Sequence, residues 1–148
     1  MSLADFRLVE VVEALPDDFE QIRAEALAEG IGHLDRLAVD WASGAIRFDR
    51  CGEALLAARL DRMLAGIGGL TIDPAVHGAL RMRRFYVRAP FRRRGVASAL
   101  GRALIARAAG ASRAITVNAP PPAASFWQSL GFVPDARDGH THVMRLPP

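Results

Sequence analysis

Phe85-Tyr86-Val87-Arg88-Ala89-Pro90-Phe91-Arg92-Arg93-Arg94-Gly95-Val96-Ala97 is the stretch on which the reading of the fold turns. Residues 79–87 end in Phe85-Tyr86-Val87, a β-prone triplet, and Pro90 closes the strand. After the turn, Val96, Leu100, Leu104 and Ala108 recur at i, i+4 spacing, so Gly95 opens a helix that Gly110 ends. A strand thus runs through a short arginine-rich turn into a helix N-terminus. Free N–H groups and the positive end of the helix dipole at that point suit a phosphate or pyrophosphate. Gly95 permits close backbone approach, Ala97 keeps the first turn small, and Arg92, Arg93 and Arg94 can add charge-assisted hydrogen bonds. The loop lacks Gly-Lys-Ser/Thr and the three spaced glycines, so it is neither a Walker loop nor a dinucleotide fingerprint.

Charge supports an anionic ligand. All 19 basic residues are arginine. Residues 1–73 hold seven arginines and 14 carboxylates, whereas residues 74–148 hold 12 arginines and two. Between Pro74 and Pro134 there are ten arginines and no carboxylate. Such asymmetry predicts that the C-terminal half faces an anion and that the acidic half attracts a cation. Arginines merely solvated at the surface are the plainer alternative.

Outward from this segment, Phe6 to Val12 alternates as a strand, and Pro16-Asp17-Asp18 starts a helix with Phe19, Ile22 and Ala26 on one face. Leu34 to Ala42 is a second helix. Ala54–Leu60 and Met63–Ile72 form a hairpin around Asp61-Arg62, with one of Gly66, Gly68 and Gly69 marking a bulge. Ala114–Val117 is a short buried strand, Ala123–Leu130 a last helix after Pro120-Pro121-Pro122, and Thr141–Leu146 a final strand. The order βααβββαβαβ predicts an α/β (α+β) fold, one domain over 1–148 with a mixed central sheet and about four helices. The 148 residues suit one domain, and the lone Cys51 excludes an internal disulfide or a cysteine-cluster metal site. The longest uncharged stretch, residues 114–134, holds four prolines and cannot be a spanning helix. With no basic-then-apolar leader, the expectation is a soluble, cytoplasmic protein, whether or not Met1-Ser2-Leu3 is native.

Arg92-Arg93-Arg94-Gly95-Val96-Ala97 resembles the Arg/Gln-X-X-Gly-X-Gly/Ala signature of the GCN5-related N-acetyltransferase (GNAT) family. Asn118, Ala123-Ala124-Ser125-Phe126-Trp127-Gln128-Ser129-Leu130-Gly131-Phe132 and the tail His142–Leu146 are similar to the family's closing elements. The resemblance covers roughly residues 54–146. It implies two splayed strands, 79–87 and 114–118, with the pantetheine arm of acetyl-CoA between them. Phe85, Tyr86 and Val87 would line that arm, Arg92, Arg93, Arg94, Gly95, Val96, Ala97 and Ser98 would hold the pyrophosphate, and Asn118, Phe126 and Trp127 would form the opposite wall. Core packing for Phe126 and Phe132 and a strand-end turn for Asn118 are the alternatives. The implied activity is direct acetyl transfer from acetyl-CoA to a primary amine, on a small molecule or a protein. The resemblance leaves a homodimer open, and neither nucleic acid, membrane nor metal is expected.

Where the family commonly has a tyrosine that protonates the departing thiolate, this chain has Trp127, whose indole is no practical acid. Water or Ser125 could serve, since a thiol of pKa about 8.5 leaves readily. A base is needed to deprotonate the amine. Asp73 is the first candidate, with an Asp-Pro turn as its alternative, followed by Glu53 and His77. His140 and His142 lack a third ligand nearby and are expected to be solvated loop residues. Two other functions fit parts of the sequence. One is a catalytically degenerate CoA-binding protein. The other is an RNA-binding module using Arg81-Met82-Arg83-Arg84-Phe85-Tyr86-Val87-Arg88.

Overall fold

Asp61 and Arg62 both take positive φ, 51° and 69°, as a two-residue type I′ hairpin turn requires. They fold β2 (Ala54–Leu60) directly onto β3 (Met63–Ile72), and the sheet grows from that pair. The computed structural model describes residues 5–148, so Met1-Ser2-Leu3 lies outside it. β1 (Phe6–Glu10) lies antiparallel on the outer side of β2, and β4 (Ala79–Val87) antiparallel on β3. β5 (Ala114–Val117) runs parallel to β4, followed in space by β7 (His140–Arg145) and then β6 (Val133–Arg137). The seven-stranded order is β1-β2-β3-β4-β5-β7-β6.

Strand alternation sends side chains to two cores. From β2, Leu55 and Ala57 join one cluster, while Leu56 and Ala58 face the other side. The first cluster lies under α1 (Phe19–Ala28) and α2 (His33–Ser43) and holds Phe19, Ile22, Leu34, Leu37, Trp41 and Tyr86. The second lies under α3 (Val96–Ala108) and α4 (Ala124–Ser129) and includes Leu100, Leu104, Ala108, Trp127 and Phe132. The apolar spacings read for α1 and α3 therefore mark their buried faces. On α2 the buried residues are Leu34, Leu37 and Trp41, and Val39 is exposed.

The structure adds one strand to the six expected. β6 carries little apolar signal, and its Pro134 fits because β6 is the sheet's outer edge. Its pairing with β7 also corrects the view of His140 and His142 as solvated, since both are buried on β7.

β4 and β5 pair only over Ala79–Arg81 against Ala114–Thr116 and then part, the splay that the resemblance implied. On the other edge of β4 the register with β3 slips: Tyr86 faces Ile67 and Arg83 faces Gly69, so Arg84 and Phe85 together oppose Gly68. Arg84 is the left-handed residue of this bulge, with φ 57°. A Cβ on Gly68 would lie 2.7 Å from the Phe85 ring, so glycine is what lets Phe85 cross the strand. Gly69 similarly admits the buried Phe48 ring, which a Cβ would meet at 2.6 Å. Gly69→Ala should therefore lower stability by about 1–3 kcal/mol in chemical denaturation. A wild-type midpoint would mean that Phe48 moves aside freely.

Candidate functional site

Beyond Arg81 and Thr116 the gap between β4 and β5 widens into a cavity of about 900 Å³. The bulge turns Phe85 toward α3 and α4, where it packs against Phe126 and Trp127 with ring centroids 5.8 and 4.9 Å away. The next residue, Tyr86, lies in the cluster under α1 and α2. Both line the cavity, which therefore has walls on both faces of the sheet. Asn118 and Phe126 form the wall opposite β4, and Glu29, Ile31 and His33 bring in the connection between α1 and α2.

The turn after β4 is held by a buried arginine. Arg88 donates two hydrogen bonds to the Glu25 carboxylate, at 3.0 and 2.9 Å, and a third to Leu64 O at 2.9 Å. A 3-10 turn, Ala89–Phe91, follows. Arg92 then folds back, donating to Val87 O at 2.9 Å and, through both terminal nitrogens, to Glu29 at 2.8 and 2.6 Å. Arg93 (φ 61°) and Gly95 (φ 82°) deliver the chain to α3. No side chain caps that helix, and among the described residues the N–H groups of Val96, Ala97 and Ser98 have no carbonyl partner. Arg93 and Arg94 form no ion pair among the described residues, and the Arg94 guanidinium lies 5.8 Å from the Phe91 ring centroid. Uncapped amides beside two unpaired guanidiniums make an anion seat.

On the α1 side, Tyr86 donates its hydroxyl hydrogen to Glu29. The Arg92 guanidinium, and next the Tyr86 hydroxyl, hold the Glu29 carboxyl down at about 2. Burial, reinforced by Glu29, pushes the Tyr86 phenol up to about 12. Glu29 is thus ionised and saturated with donors, a poor proton acceptor. His33 differs. Burial lowers its pKa to about 4, helped by the positive charges of Arg84 and Arg36, so the imidazole is neutral near pH 7. Its Nδ1 is buried without a partner among the described residues. This is the one neutral basic nitrogen in the cavity lining.

The structure corrects the base candidates. Asp73 does not reach the cavity. Its carboxylate accepts from Ala75 N (2.8 Å), Val76 N (3.0 Å), Thr116 Oγ1 (2.6 Å) and Arg81 Nη2 (3.3 Å). Burial alone would raise its pKa, but these donors outweigh burial and hold it below the usual carboxylate range. Asp73 is a turn residue that also ties β4 to β5. Glu53 accepts from the Arg50 and Ile72 backbone and caps the entry to β2. His77 and Ser125 are exposed and outside the cavity lining. Of the proposed cofactor-loop residues, Phe85, Tyr86, Val87, Arg92, Ala97, Asn118, Phe126 and Trp127 line the cavity, while Arg93, Arg94, Gly95, Val96 and Ser98 lie next to it along the chain. Glu29 and His33 escaped sequence reading, and Arg81, Arg83 and Arg84 entered it only under the RNA alternative. The Gly30-Ile31-Gly32 break before His33 was the available hint.

The charge asymmetry also has a different outlet. Arg84 pairs with Asp40, Arg88 with Glu25, Arg92 with Glu29, Arg107 with Glu10 and Arg81 with Asp73. Part of the basic half thus faces the acidic half of its own chain. Carboxylates so paired are not free to draw in a cationic ligand, and of the β4 arginines that RNA would need, Arg81 and Arg84 are already engaged.

A family model described as an acetyltransferase (GNAT) domain matches residues 29–146. No curated protein sequence matches the chain. Among solved structures, a protein of Exiguobacterium sp. 255-15, provisionally assigned as an acetyltransferase, is similar at TM-score 0.87 and 21% identity, over 95% of this chain and 93% of that one. An acetyltransferase of Streptococcus agalactiae 2603 aligns at TM-score 0.76 and 14% identity, over 97% and 99%. Glucosamine-6-phosphate N-acetyltransferase of Arabidopsis thaliana aligns at TM-score 0.63 and 12% identity, over 89% and 94%. At these identities the structural likeness speaks for the fold.

The His33 environment has a measurable consequence. Its folded pKa of about 4 lies below the ordinary value of 6.5, so between those values the folded chain binds fewer protons than the unfolded one. The stability from neutral His33 is complete above pH 6.5 and is lost as pH falls toward 4. Denaturation midpoints of His33→Gln should fall less than wild type across that window. Parallel profiles would show that His33 is not held neutral by its surroundings. The losses tied to Glu29 come lower, between about 4.5 and 2.

Proposed function

The chain belongs to the GNAT acetyltransferase family and is an N-acetyltransferase, and from that premise we propose that it carries the acetyl group of acetyl-CoA directly to a primary amine. The observation that carries the proposal is the uncapped N-terminus of α3 at the mouth of the gap between β4 and β5. The residues there fit the donor. The N–H groups of Val96, Ala97 and Ser98, with Arg93 and Arg94, would hold the pyrophosphate, and Gly95 leaves room for close approach. Past Arg81 one edge of β4 has no strand partner, so backbone groups at Phe85 and Val87 can pair with the pantetheine amides. Asn118 and Phe126 would close the other side. When bound, the donor supplies a thioester whose thiol, with pKa about 8.5, leaves without a strong acid. This suits a site where Trp127 is locked among Phe85, Phe126 and Phe132 and no phenol stands on that wall.

The acceptor amine would enter from the α1–α2 side. There the chain does two things for it. Neutral His33 is the candidate to take the ammonium proton, which requires its buried Nδ1 to turn toward the cavity. The guanidiniums of Arg36, Arg83 and Arg84 disfavour a neighbouring ammonium and so lower the pKa of the bound amine. A weak base is then adequate.

Acetyl-CoA at 100 times its dissociation constant should stabilise the protein by about 2.7 kcal/mol in a thermal-shift titration. In Gly95→Val, whose side chain would strain the φ of 82° and crowd the helix entry, the affinity should fall by roughly a hundredfold. Equal affinities, with the unliganded variant still folded, would remove the pyrophosphate assignment. Binding without thioester consumption by any amine would leave CoA binding as the function instead.

A further inference from the structure

The part of the cavity facing α2 is cationic. Arg36, Arg81, Arg83 and Arg84 all line it, and the only carboxylate in the lining, Glu29, is committed to Arg92 and Tyr86. Two of the four guanidiniums are balanced from outside the lining, Arg81 by Asp73 at 3.3 Å and Arg84 by Asp40 at 3.3 Å. Arg83 and Arg36 have no ion-pair or hydrogen-bond partner among the described residues. Arg36 sits on exposed surface, but Arg83 is half-buried. Alternation along β4 places Arg81 and Arg83 on the face opposite Leu80 and Met82, which pack under α3. The Nε of Arg81 is buried and also lacks a partner among the described residues. Burial, and then the charge of Arg81, lowers the pKa of Arg83, and Asp40 and Asp73, neither of them in contact with it, offset this only in part.

An unpaired, partly desolvated guanidinium in a cavity wall is unfavourable until an anion meets it. The same charges reach His33, whose pKa Arg84 and Arg36 help to lower, so the cationic patch and the neutral base lie side by side. We infer that the acceptor carries an anionic group, a carboxylate or a phosphate monoester, alongside its amine, and that Arg83, assisted by Arg36, is the residue that selects it. This inference rests on the acetyl-transfer reading above and specifies its substrate class. It reverses the expectation, drawn from the acidic N-terminal half, of a purely cationic acceptor. One set of charges then serves twice: it fixes the anionic end of the substrate and disfavours the protonated form of its amine.

The test compares matched acceptors in a CoA-release assay, glucosamine 6-phosphate against glucosamine and glycine against glycinamide. For wild type, kcat/KM should be roughly tenfold to a hundredfold higher for the anionic member of at least one pair, the two pairs separating phosphate from carboxylate recognition. Arg83→Gln should lose most of that preference, its KM rising far more for the anionic members than for the neutral ones. A second arm needs no turnover. With CoA saturating, inorganic phosphate or acetate should raise the melting temperature of wild type and not of Arg83→Gln. The same titrations in Gly95→Val and in Gly95→Val with Arg83→Gln, without CoA, keep this arm valid even if CoA fails to bind. Failure of CoA alone to stabilise the protein would count against the donor assignment only. A preference for neutral acceptors, or an anion response that Arg83→Gln leaves intact in both backgrounds, would overturn the inference.

Discussion

Everything functional in this molecule follows from the early parting of β4 and β5. Parallel strands normally continue pairing as long as both last, yet here pairing ends after three residues on each strand. Two local features hold them apart. On one side, β5 has a single further residue before Asn118 and the prolines. On the other, the bulge at Arg84 and Phe85 over Gly68 bends β4 and swings an aromatic ring across the gap. Phe85, Phe126 and Trp127 then prop the strands apart, with centroids 4.9–5.8 Å from one another. The result is an unpaired strand edge inside a fold, which is rare because orphaned backbone groups are costly. A ligand with amides of its own resolves that cost.

Five of the twelve arginines in residues 74–148 pair with carboxylates of the acidic half. Arg88, paired with Glu25, is the most buried arginine of the cross-half pairs, with a side-chain exposure of 7%, and it fixes the turn that leads to α3. Removing either partner would strand a buried charge, whereas the exposed Arg107–Glu10 pair contributes little. Among the described residues Arg83, Arg93, Arg94, Arg102, Arg113 and Arg145 have no ion-pair partner, and three of these lie in or beside the cavity lining. Arg93 and Arg94 lie by the uncapped helix end, and Arg83 lies on the opposite side of the sheet. The two sets mark the two ends of one passage, the first suited to a pyrophosphate and the second to the far end of an acceptor.

The strand-turn-helix from Phe85 to Ala108 was legible because its determinants are local: β-prone residues, a proline stop, a glycine with positive φ and an i, i+4 apolar stripe. The Asp61-Arg62 turn was legible for the same reason. β6 was not, because Val133-Pro134-Asp135-Ala136-Arg137 is an exposed edge strand with no apolar alternation. The proposed base was not legible either. Asp73 stands beside β4 in the fold, but four donors and full burial disqualify it, and nothing in its sequence neighbourhood reveals those donors. His33 owes its neutrality to burial and then to the charges of Arg84 and Arg36, which outweigh a hydrogen bond to the Phe85 backbone, and Arg84 and Phe85 are about 50 residues away in the chain. Charge counting by halves pointed at a real feature and misjudged its meaning, since it could not tell a guanidinium facing a carboxylate from one facing a cavity.

The proposed binding site is one continuous passage through the sheet, running from α3 to α2. Amide chemical shifts followed during a CoA titration address it most directly. The account predicts saturable one-to-one changes concentrated at Val96, Ala97 and Ser98, along the free edge of β4 from Arg83 to Val87, and at Asn118. Changes confined to the outer strands β1 and β6, or spread over surface arginines without saturation, would contradict it.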